Sequence, residues 1–500
     1  MTDTNTRATT VETRTIDVVP DAERHGRPLN QFTLWFGANT QITAVVDGAL
    51  AVVFGADALW AIIGLAIGNI LGGIVMALHS AQGPRLGLPQ MISSRAQFGV
   101  LGAVVPLVMV ILMYLGFAAT GSVLAGQAIS HFLHIDSVSV GIVIFAVLTA
   151  VVTLIGYRMI HLLGRIATVV GVLAFAYLTI RLFVAYDAAD VLSVHGFDIA
   201  TFLLAVSLGA GWQLTFGPYV ADYSRYLPRD TSPKKTFWAT LAGSVLGSQW
   251  SMTIGALVAA IAGDAFLGDQ VGYFGELAGP AWAAMIIYLV IVIGKLTVNT
   301  LNAYGGFMGV LTTTTSFTGR SSVSARVRTV YILGFVAISM IIALAASDNF
   351  LSNFKNFVLL LLMVFTPWSA INLVDYYLIS KERIDIPALY DRRGRYGAWN
   401  WYALSTYTIA VLIQIPFLAQ TMYTGPITRM IGGVDISWIL GLVVAAALYY
   451  PPARHHNRAP AATVYPTTSP LSEASSVPDS EHVAHDHATA GGPSSRRVPD

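Results

Sequence analysis

The sequence contains no cysteine and unusually little charge. Only 11% of its 500 residues are charged and 55% are hydrophobic, whereas a soluble protein is about 25% charged. The absence of cysteine excludes disulfides, thiolate metal sites and cysteine nucleophiles. The formal net charge is +1, so no basic surface for nucleic acid is expected. Glycine, with 45 residues, is abundant, and it is commoner in membrane helices than in soluble ones.

Apolar runs long enough to cross a bilayer fill most of the chain. A transmembrane helix needs about 20 mostly apolar residues, and the sequence predicts an all-α polytopic membrane protein with twelve spans. The expected spans are 31–55, 58–80, 98–130, 138–156, 163–186, 198–225, 236–262, 278–312, 328–346, 353–379, 399–422 and 434–451. Eleven spans would result if the glycine-interrupted sixth run were not a span.

The distribution of lysine and arginine predicts the orientation. All of these residues except Arg181, Lys295, Lys355 and Arg429 fall at the chain ends or in loops on one side of the predicted membrane. Short cytoplasmic loops carry an excess of such residues, so a multi-pass cell-membrane protein with both termini in the cytoplasm is expected.

The two ends of the chain are polar. Residues 1–28 and 452–500 are expected to be disordered cytoplasmic segments flanking a transmembrane domain at 29–451, because they have too little apolar surface to offset the entropy of ordering. The last segment contains three closely spaced histidines, which we interpret as solvated chain and not as a metal site: His482, His485 and His487.

Two spans are interrupted near their middles. Span 1 contains Gly37, Asn39 and Gln41 within its apolar run, and span 6 contains three glycines and a proline between Gly209 and Pro218. Such a segment does not hold a continuous helix. Interrupted helices at corresponding positions of two halves indicate the binding site of an inverted-repeat transporter. Ordinary glycine kinks are the alternative.

Span 8 carries a local cluster of polar side chains. Asn299 and Asn302 each present a donor and an acceptor, so together they can read the edge of a heterocycle. The alternative is hydrogen bonding between helices.

The coupling ion is expected to be a proton or sodium. Carbonyls of Gly37 and Thr40 and the hydroxyl of Thr297 are candidate sodium ligands. Lys295 and Asp47 lie at membrane depth and are candidate proton carriers. Because Val298 offers no ligand, a proton is favoured.

Four segments resemble the nucleobase–cation symporter-1 family, in particular its purine–cytosine permease branch, over roughly residues 25–450. They are Trp35-Phe-Gly-Ala-Asn39, Pro218-Tyr-Val-Ala-Asp-Tyr-Ser-Arg-Tyr-Leu-Pro228, Asn302-Ala-Tyr304 and Asn372-Leu-Val-Asp-Tyr-Tyr377. The resemblance implies a LeuT-type fold, with two inverted five-helix repeats plus two helices. It also implies ion-coupled uptake of nucleobases such as cytosine or purines.

The same resemblance implies roles for individual residues. Gln41 and one of the two span 8 asparagines would contact the edge of the substrate, and we expect its ring to stack between Phe117 of span 3 and Phe216 of span 6. The residues implied in substrate binding are Gln41, Phe117, Thr215, Phe216, Asn299 and Asn302, and those in a sodium site are Gly37 and Thr40. The chain departs from the family pattern at Phe117, commonly Trp, and at Gly121, where many relatives have an amide.

Other functions fit the sequence less well. An intramembrane enzyme would need a nucleophile and base or a metal cluster, and the histidines fall in predicted loops and tails, among them His79 and His131. No phosphate-binding Gly-x-x-x-x-Gly-Lys-[Ser/Thr] motif is present, so ATP is not expected to drive transport directly, and the energy is expected to come from an ion gradient or from the substrate gradient alone. No cofactor is expected. A symporter of a related heterocycle, such as allantoin, hydantoin, uracil or a thiamine-like compound, is the alternative substrate assignment.

Overall fold

The computed structural model describes residues 16–155, 157–187, 191–192, 196–319 and 324–466, and its main elements are helices. Twelve spans can be identified, of which spans 1 and 6 consist of two helices each. In order they are Pro28–Asn39 with Ile42–Val53, Ala58–Leu86, Val104–Leu133, Val138–Ile155, Tyr157–Ala185, Ile199–Leu214 with Val220–Ser224, Pro233–Ala262, Ala281–Thr318, Ala325–Ala346, Phe350–Leu373, Trp401–Leu412 and Ser437–His455.

Length and composition support this assignment to different degrees. Within the described ranges, seven helices are long and apolar enough to cross a membrane, and the bent pair that forms span 1 counts as an eighth. One of the seven, Arg326–Ile379, contains both span 9 and span 10. Spans 6 and 11 contribute shorter apolar helices, and span 12 ends in a turn that contains Pro451, Pro452 and Arg454.

Several spans have different ends from those expected, among them spans 3 and 11. Span 3 begins at Val104 and not at 98, because two short helices, Gln90–Ser93 and Arg95–Phe98, precede it. Span 11 ends at Leu412 and not at 422, shortly before Pro416. Proline lacks the backbone donor that a continuing helix needs.

The helices of spans 1 and 6 are interrupted at the predicted positions. The halves of span 1 meet at an angle of 61°, with Gln41 in an extended conformation. The regular helix of span 6 ends at Leu214 and a short helix starts at Val220, with tight turns over Thr215–Tyr219 between them. At both breaks the regular series of helical backbone hydrogen bonds is interrupted inside the membrane domain.

Equivalent helix pairs pack in the way that two repeats require. If span 1 corresponds to span 6 and span 2 to span 7, the contact of spans 2 and 6 is equivalent to that of spans 7 and 1, and both contacts are extensive. Each depends on glycine. A Cβ atom at Gly68 would lie 2.1 Å from the Val206 carbonyl oxygen, and one at Gly243 would lie 2.4 Å from that of Phe32. Small residues allow helix backbones to approach this closely.

The Asn372–Tyr377 motif connects the ends of several spans. Gln82 donates to Asn372 Oδ1 at 3.0 Å and Asn372 donates to Gln97 Oε1 at 3.1 Å. Gln97 and Tyr449 each donate to the Asp375 carboxylate at 3.0 Å. This chain of bonds holds together spans 2, 10 and 12 and the segment before span 3.

Both terminal segments contact the loop between spans 10 and 11. Tyr390 donates to the Ile16 carbonyl at 2.6 Å, and Val464 N donates to Ile384 O at 2.9 Å. Packed structure therefore starts ahead of the expected boundary at residue 28 and continues past 452. Residues 1–15 and 467–500, including the three tail histidines, lie outside the described residues.

The native chain lacks cysteine, so single cysteines report topology without background. Asp230 lies in the loop between spans 6 and 7 and Asp264 in the loop between spans 7 and 8, and both are exposed. We expect a membrane-impermeant maleimide to label Asp264→Cys in intact cells and Asp230→Cys only after permeabilisation. The opposite pattern, or labelling of both in intact cells, would contradict the arrangement of spans.

Candidate substrate and ion site

Three polar side chains of span 8 share one face of the helix. Lys295, Asn299 and Asn302 are spaced by four and three residues, and residues at these spacings lie above one another on a helix. All three are buried. Their hydrogen bonds direct Lys295 toward the break in span 1 and Asn299 toward span 3.

The Lys295 ammonium lies at the break in span 1. It donates to Gln41 Oε1 at 2.7 Å and to the Thr43 hydroxyl. The other end of the Gln41 amide donates to the Ala38 carbonyl at 2.9 Å. The resemblance assigned the side chain of Gln41 to substrate contact. In the structure it binds Lys295 and donates to a backbone carbonyl at the break.

Asp47 lies one turn beyond Thr43 on the same face of the second half of span 1. Its side chain is fully buried, and neither carboxylate oxygen has a hydrogen-bond partner among the described residues. Lys295 and Asp47 form no ion pair in the described part of the chain. Each is thus a buried ionisable group without a counter-charge, a costly arrangement at membrane depth.

The two asparagines are held differently. Asn299 Nδ2 donates to Ala118 O at 2.9 Å and to Ser122 Oγ at 3.2 Å, both on span 3, which leaves Asn299 Oδ1 without a partner among the described residues. In Asn302 it is the Nδ2 donor that has none. Because Ala118 O can only accept, the orientation of the Asn299 amide is fixed. The cluster therefore presents one unpaired acceptor and one unpaired donor.

Gly121 leaves room for this arrangement. A Cβ atom at Gly121 would lie 2.4 Å from Asn299 Oδ1 and 3.4 Å from Lys295 Cδ. Any side chain at this position would have to displace Asn299.

The aromatic side chains are grouped differently from the expected sandwich of Phe117 and Phe216. The Phe117 ring meets Trp212 edge-on at a centroid distance of 6.0 Å and Phe357 at 5.2 Å. The Phe216 ring packs against Trp35 at 5.3 Å and Trp212 at 5.7 Å. Trp212, which the sequence analysis did not select, thus contacts both rings and is the span 6 side chain that faces Phe117.

The hydroxyls of the candidate residues are turned toward their own helices. Thr215 donates to Trp212 O at 2.6 Å, Thr40 to Phe36 O at 2.8 Å and Thr297 to Ile293 O at 2.9 Å. The Gly37 carbonyl accepts from Thr40 N at 3.2 Å. The Gly37 carbonyl and the Thr297 hydroxyl are therefore hydrogen-bonded within the protein, and the Lys295 ammonium lies at the adjoining break.

His79 is not in a loop, as the sequence suggested, but is fully buried near the end of span 2. It stacks on Trp368 at a centroid distance of 4.7 Å and lies 3.1 Å from Ser369 Oγ. No group of three or more His, Cys, Asp or Glu side chains suited to a metal is found among the described residues.

Comparison with known proteins identifies relatives over most of the chain. Residues 18–441 match the family described as permease for cytosine/purines, uracil, thiamine, allantoin. The putative purine-cytosine permease YxlA of Bacillus subtilis (strain 168) is 39% identical over 440 residues, which cover 88% of this chain and 95% of that protein. The purine-cytosine permease fcyB of Emericella nidulans is 26% identical over 454 residues, covering 88% and 87%.

Solved structures show the same fold. Mhp1, a nucleobase-cation-symport-1 family transporter, in a closed conformation with bromovinylhydantoin bound, matches with a TM-score of 0.70 and 19% identity over 90% of this chain and 96% of that chain. Its inward-facing conformation matches with a TM-score of 0.71 and 20% identity over 89% and 95%. The expected LeuT-type arrangement of two inverted repeats plus two helices is thereby confirmed. With its motifs, its fold and its matched length in agreement, this chain belongs to the cytosine/purine permease family of multi-pass membrane transporters.

Proposed function

We propose that this protein imports a nucleobase such as cytosine or a purine across the cytoplasmic membrane by symport with protons. The observation that carries the proposal is the buried polar cluster on span 8, where the Lys295 ammonium bonds to Gln41 at the break in span 1 and the Asn299 amide bonds to span 3, the span that carries Phe117. A related heterocycle, such as allantoin, hydantoin, uracil or a thiamine-like compound, is the alternative substrate.

The unpaired amide atoms support a substrate whose edge carries both hydrogen-bond donors and acceptors. The free Asn302 Nδ2 is suited to donate to a ring nitrogen or carbonyl oxygen, and the free Asn299 Oδ1 to accept from an N–H group. Nucleobases present such neighbouring donors and acceptors. A buried polar group left unpaired costs about 1–3 kcal/mol, so the two atoms favour a ligand that satisfies both.

The aromatic side chains support a planar substrate. Phe117 and Trp212 already contact each other edge-on, so a ring that enters between them has to separate them and stack on their faces. Stacking of this kind is worth about 0.5–1.5 kcal/mol beyond the burial of area. Phe357 of span 10 packs on Phe117 from a further side and completes the aromatic lining.

The position of Lys295 supports coupling to protons. A sodium ion at the break in span 1 would meet an ammonium that already donates to Gln41 and Thr43. The lysine can itself carry the coupling charge, as a proton on Nζ. Asp47, on the neighbouring turn, is the second candidate carrier.

The inner side of the membrane is assigned from charge. We infer that the loops after spans 2, 6 and 10, together with both chain termini, face the cytoplasm, because these segments contain most of the lysine and arginine. Their contacts with one another at a common end of the bundle support this assignment.

The ring slot predicts a specific effect of Phe117. In cells that lack their own nucleobase uptake, the wild type should confer saturable uptake of labelled cytosine or hypoxanthine. Phe117→Leu should raise KM about two- to tenfold, the equivalent of the lost stacking. Phe117→Trp should be tolerated because it keeps an aromatic face. Unchanged KM in Phe117→Leu with loss of uptake in Phe117→Trp would make this residue a packing contact.

Substitutions of Asn299 and Asn302 are predicted to differ in their effects on substrate binding and on protein stability. Asn302→Ala should raise KM about fivefold to a hundredfold without lowering the melting temperature of the detergent-purified protein, because its Nδ2 has no hydrogen-bond partner among the described residues. Asn299→Ala should lower the melting temperature as well, because it removes two bonds to span 3. If Asn302→Ala lowers the melting temperature and leaves KM unchanged, the free donor does not bind substrate.

The proton carrier can be tested by separating accumulation from exchange. Lys295→Gln keeps a donor for Gln41 and removes the charge, so it should abolish concentrative uptake and retain exchange of internal for external substrate, which requires no net proton movement. Asp47→Asn is the matched variant and should still concentrate substrate. Retained accumulation in Lys295→Gln, with loss in Asp47→Asn, would transfer the role to the carboxyl group.

A further inference from the structure

Asn39 is the last residue of the first half of span 1, directly before the break, and its side chain is fully buried. All four hydrogen-bonding positions of the amide are used. Nδ2 donates to Trp35 O at 2.7 Å and to Ser244 Oγ at 3.0 Å. Oδ1 accepts from Trp212 Nε1 at 2.6 Å and from Ser248 Oγ at 2.9 Å. The amide is thus fixed in orientation, since Trp35 O can only accept and the indole nitrogen can only donate.

The bond from Asn39 controls the rotation of Trp212. An indole has a single hydrogen-bond donor, and in Trp212 that donor is directed away from Phe117 toward span 1. The rest of the ring contacts Phe117 and Phe216. A change in the position of the Asn39 amide would therefore change the angle that Trp212 presents to the aromatic slot.

The backbone of Asn39 belongs to the break itself. Its carbonyl accepts from Gln41 N at 3.0 Å and from Ser251 Oγ at 2.9 Å. The Gln41 side chain accepts from Lys295. A short bonded path therefore runs from the ammonium, through Gln41 and Asn39, to the indole of Trp212.

We propose that Asn39 is a positioning residue that fixes the indole of Trp212 for stacking on the substrate ring and links the substrate slot to Lys295 at the break in span 1. The inference rests on the proposed function, because it takes Trp212 as a wall of the slot. It adds a physical connection between the substrate and the coupling group. Movement of Lys295 changes the bonding of Gln41, which shifts the segment that holds Asn39, and the indole turns with it.

A double-mutant cycle tests whether Asn39 and Trp212 act through their shared hydrogen bond. The cycle consists of Asn39→Ala, Trp212→Phe and the double variant, assayed for nucleobase uptake per transporter at the cell surface. Each single variant should raise KM about fivefold, the equivalent of one net hydrogen bond. The double variant should raise KM no further, because both changes remove the same bond. Asn39→Ala should also lower the accumulation ratio at saturating substrate, a loss that weaker folding alone would not produce.

Gln249→Ala is the matched control. Gln249 accepts from Asn69 at 3.0 Å in the same buried polar region and has no hydrogen bond to Asn39 or Trp212 among the described residues. We expect unchanged KM and accumulation ratio in this variant. If Asn39→Ala does not reach the membrane, Ser248→Ala replaces it, because Ser248 shares Oδ1 with Trp212. Its smaller rise in KM should disappear in the Trp212→Phe background.

Multiplying effects, about 25-fold in the double variant if each single change costs fivefold, would overturn the inference, as would unchanged KM in Asn39→Ala. Phe117→Leu in the same assay distinguishes the two levels of failure. If Phe117→Leu leaves KM unchanged, the aromatic slot of the proposed function is wrong. If it raises KM while the cycle is multiplicative, only the role of Asn39 is wrong.

Discussion

At the break in span 1, carbonyl groups leave the helical ladder at membrane depth, where water does not replace their lost partners. The chain satisfies them with its own side chains: Gln41 donates to Ala38 O and Ser251 to Asn39 O. Ser251 belongs to span 7, and two further spans reach the break through the side chains of Gln41 and Asn39. Lys295 reaches it through Gln41, and Trp212 reaches it through the Asn39 amide. Because a few backbone groups need hydrogen-bond partners, the charged and aromatic side chains of the candidate site lie close to the break in span 1.

Much of this arrangement follows from local sequence. Glycine and proline disfavour helix wherever they cluster, so both breaks could be located, and Asn299 and Asn302 could be identified as a local polar cluster within an apolar span. The spans and their number followed from hydropathy, and the family motifs predicted the fold.

The partners of individual side chains could not be predicted, because they depend on how one helix is rotated against another. Trp212 and Phe216 both lie at the break in span 6, and only the rotation of its last regular turn directs the tryptophan toward Phe117. Asn299 bonds to span 3, while Asn302, three residues later, keeps a free donor. This difference reflects the register of span 8 against Ala118 and Ser122. Gln41, which was expected to contact the substrate, instead accepts a hydrogen bond from Lys295, whose long side chain extends to it.

We propose that Lys295, and not a bound sodium ion, supplies the coupling charge at the break in span 1. The most direct test uses the purified wild-type protein in liposomes prepared in sodium-free buffer, with a pH indicator and labelled cytosine or hypoxanthine. We expect substrate addition to move protons together with substrate, and an imposed proton gradient to drive accumulation that added sodium does not increase. Accumulation that requires sodium, without proton movement, would contradict the account.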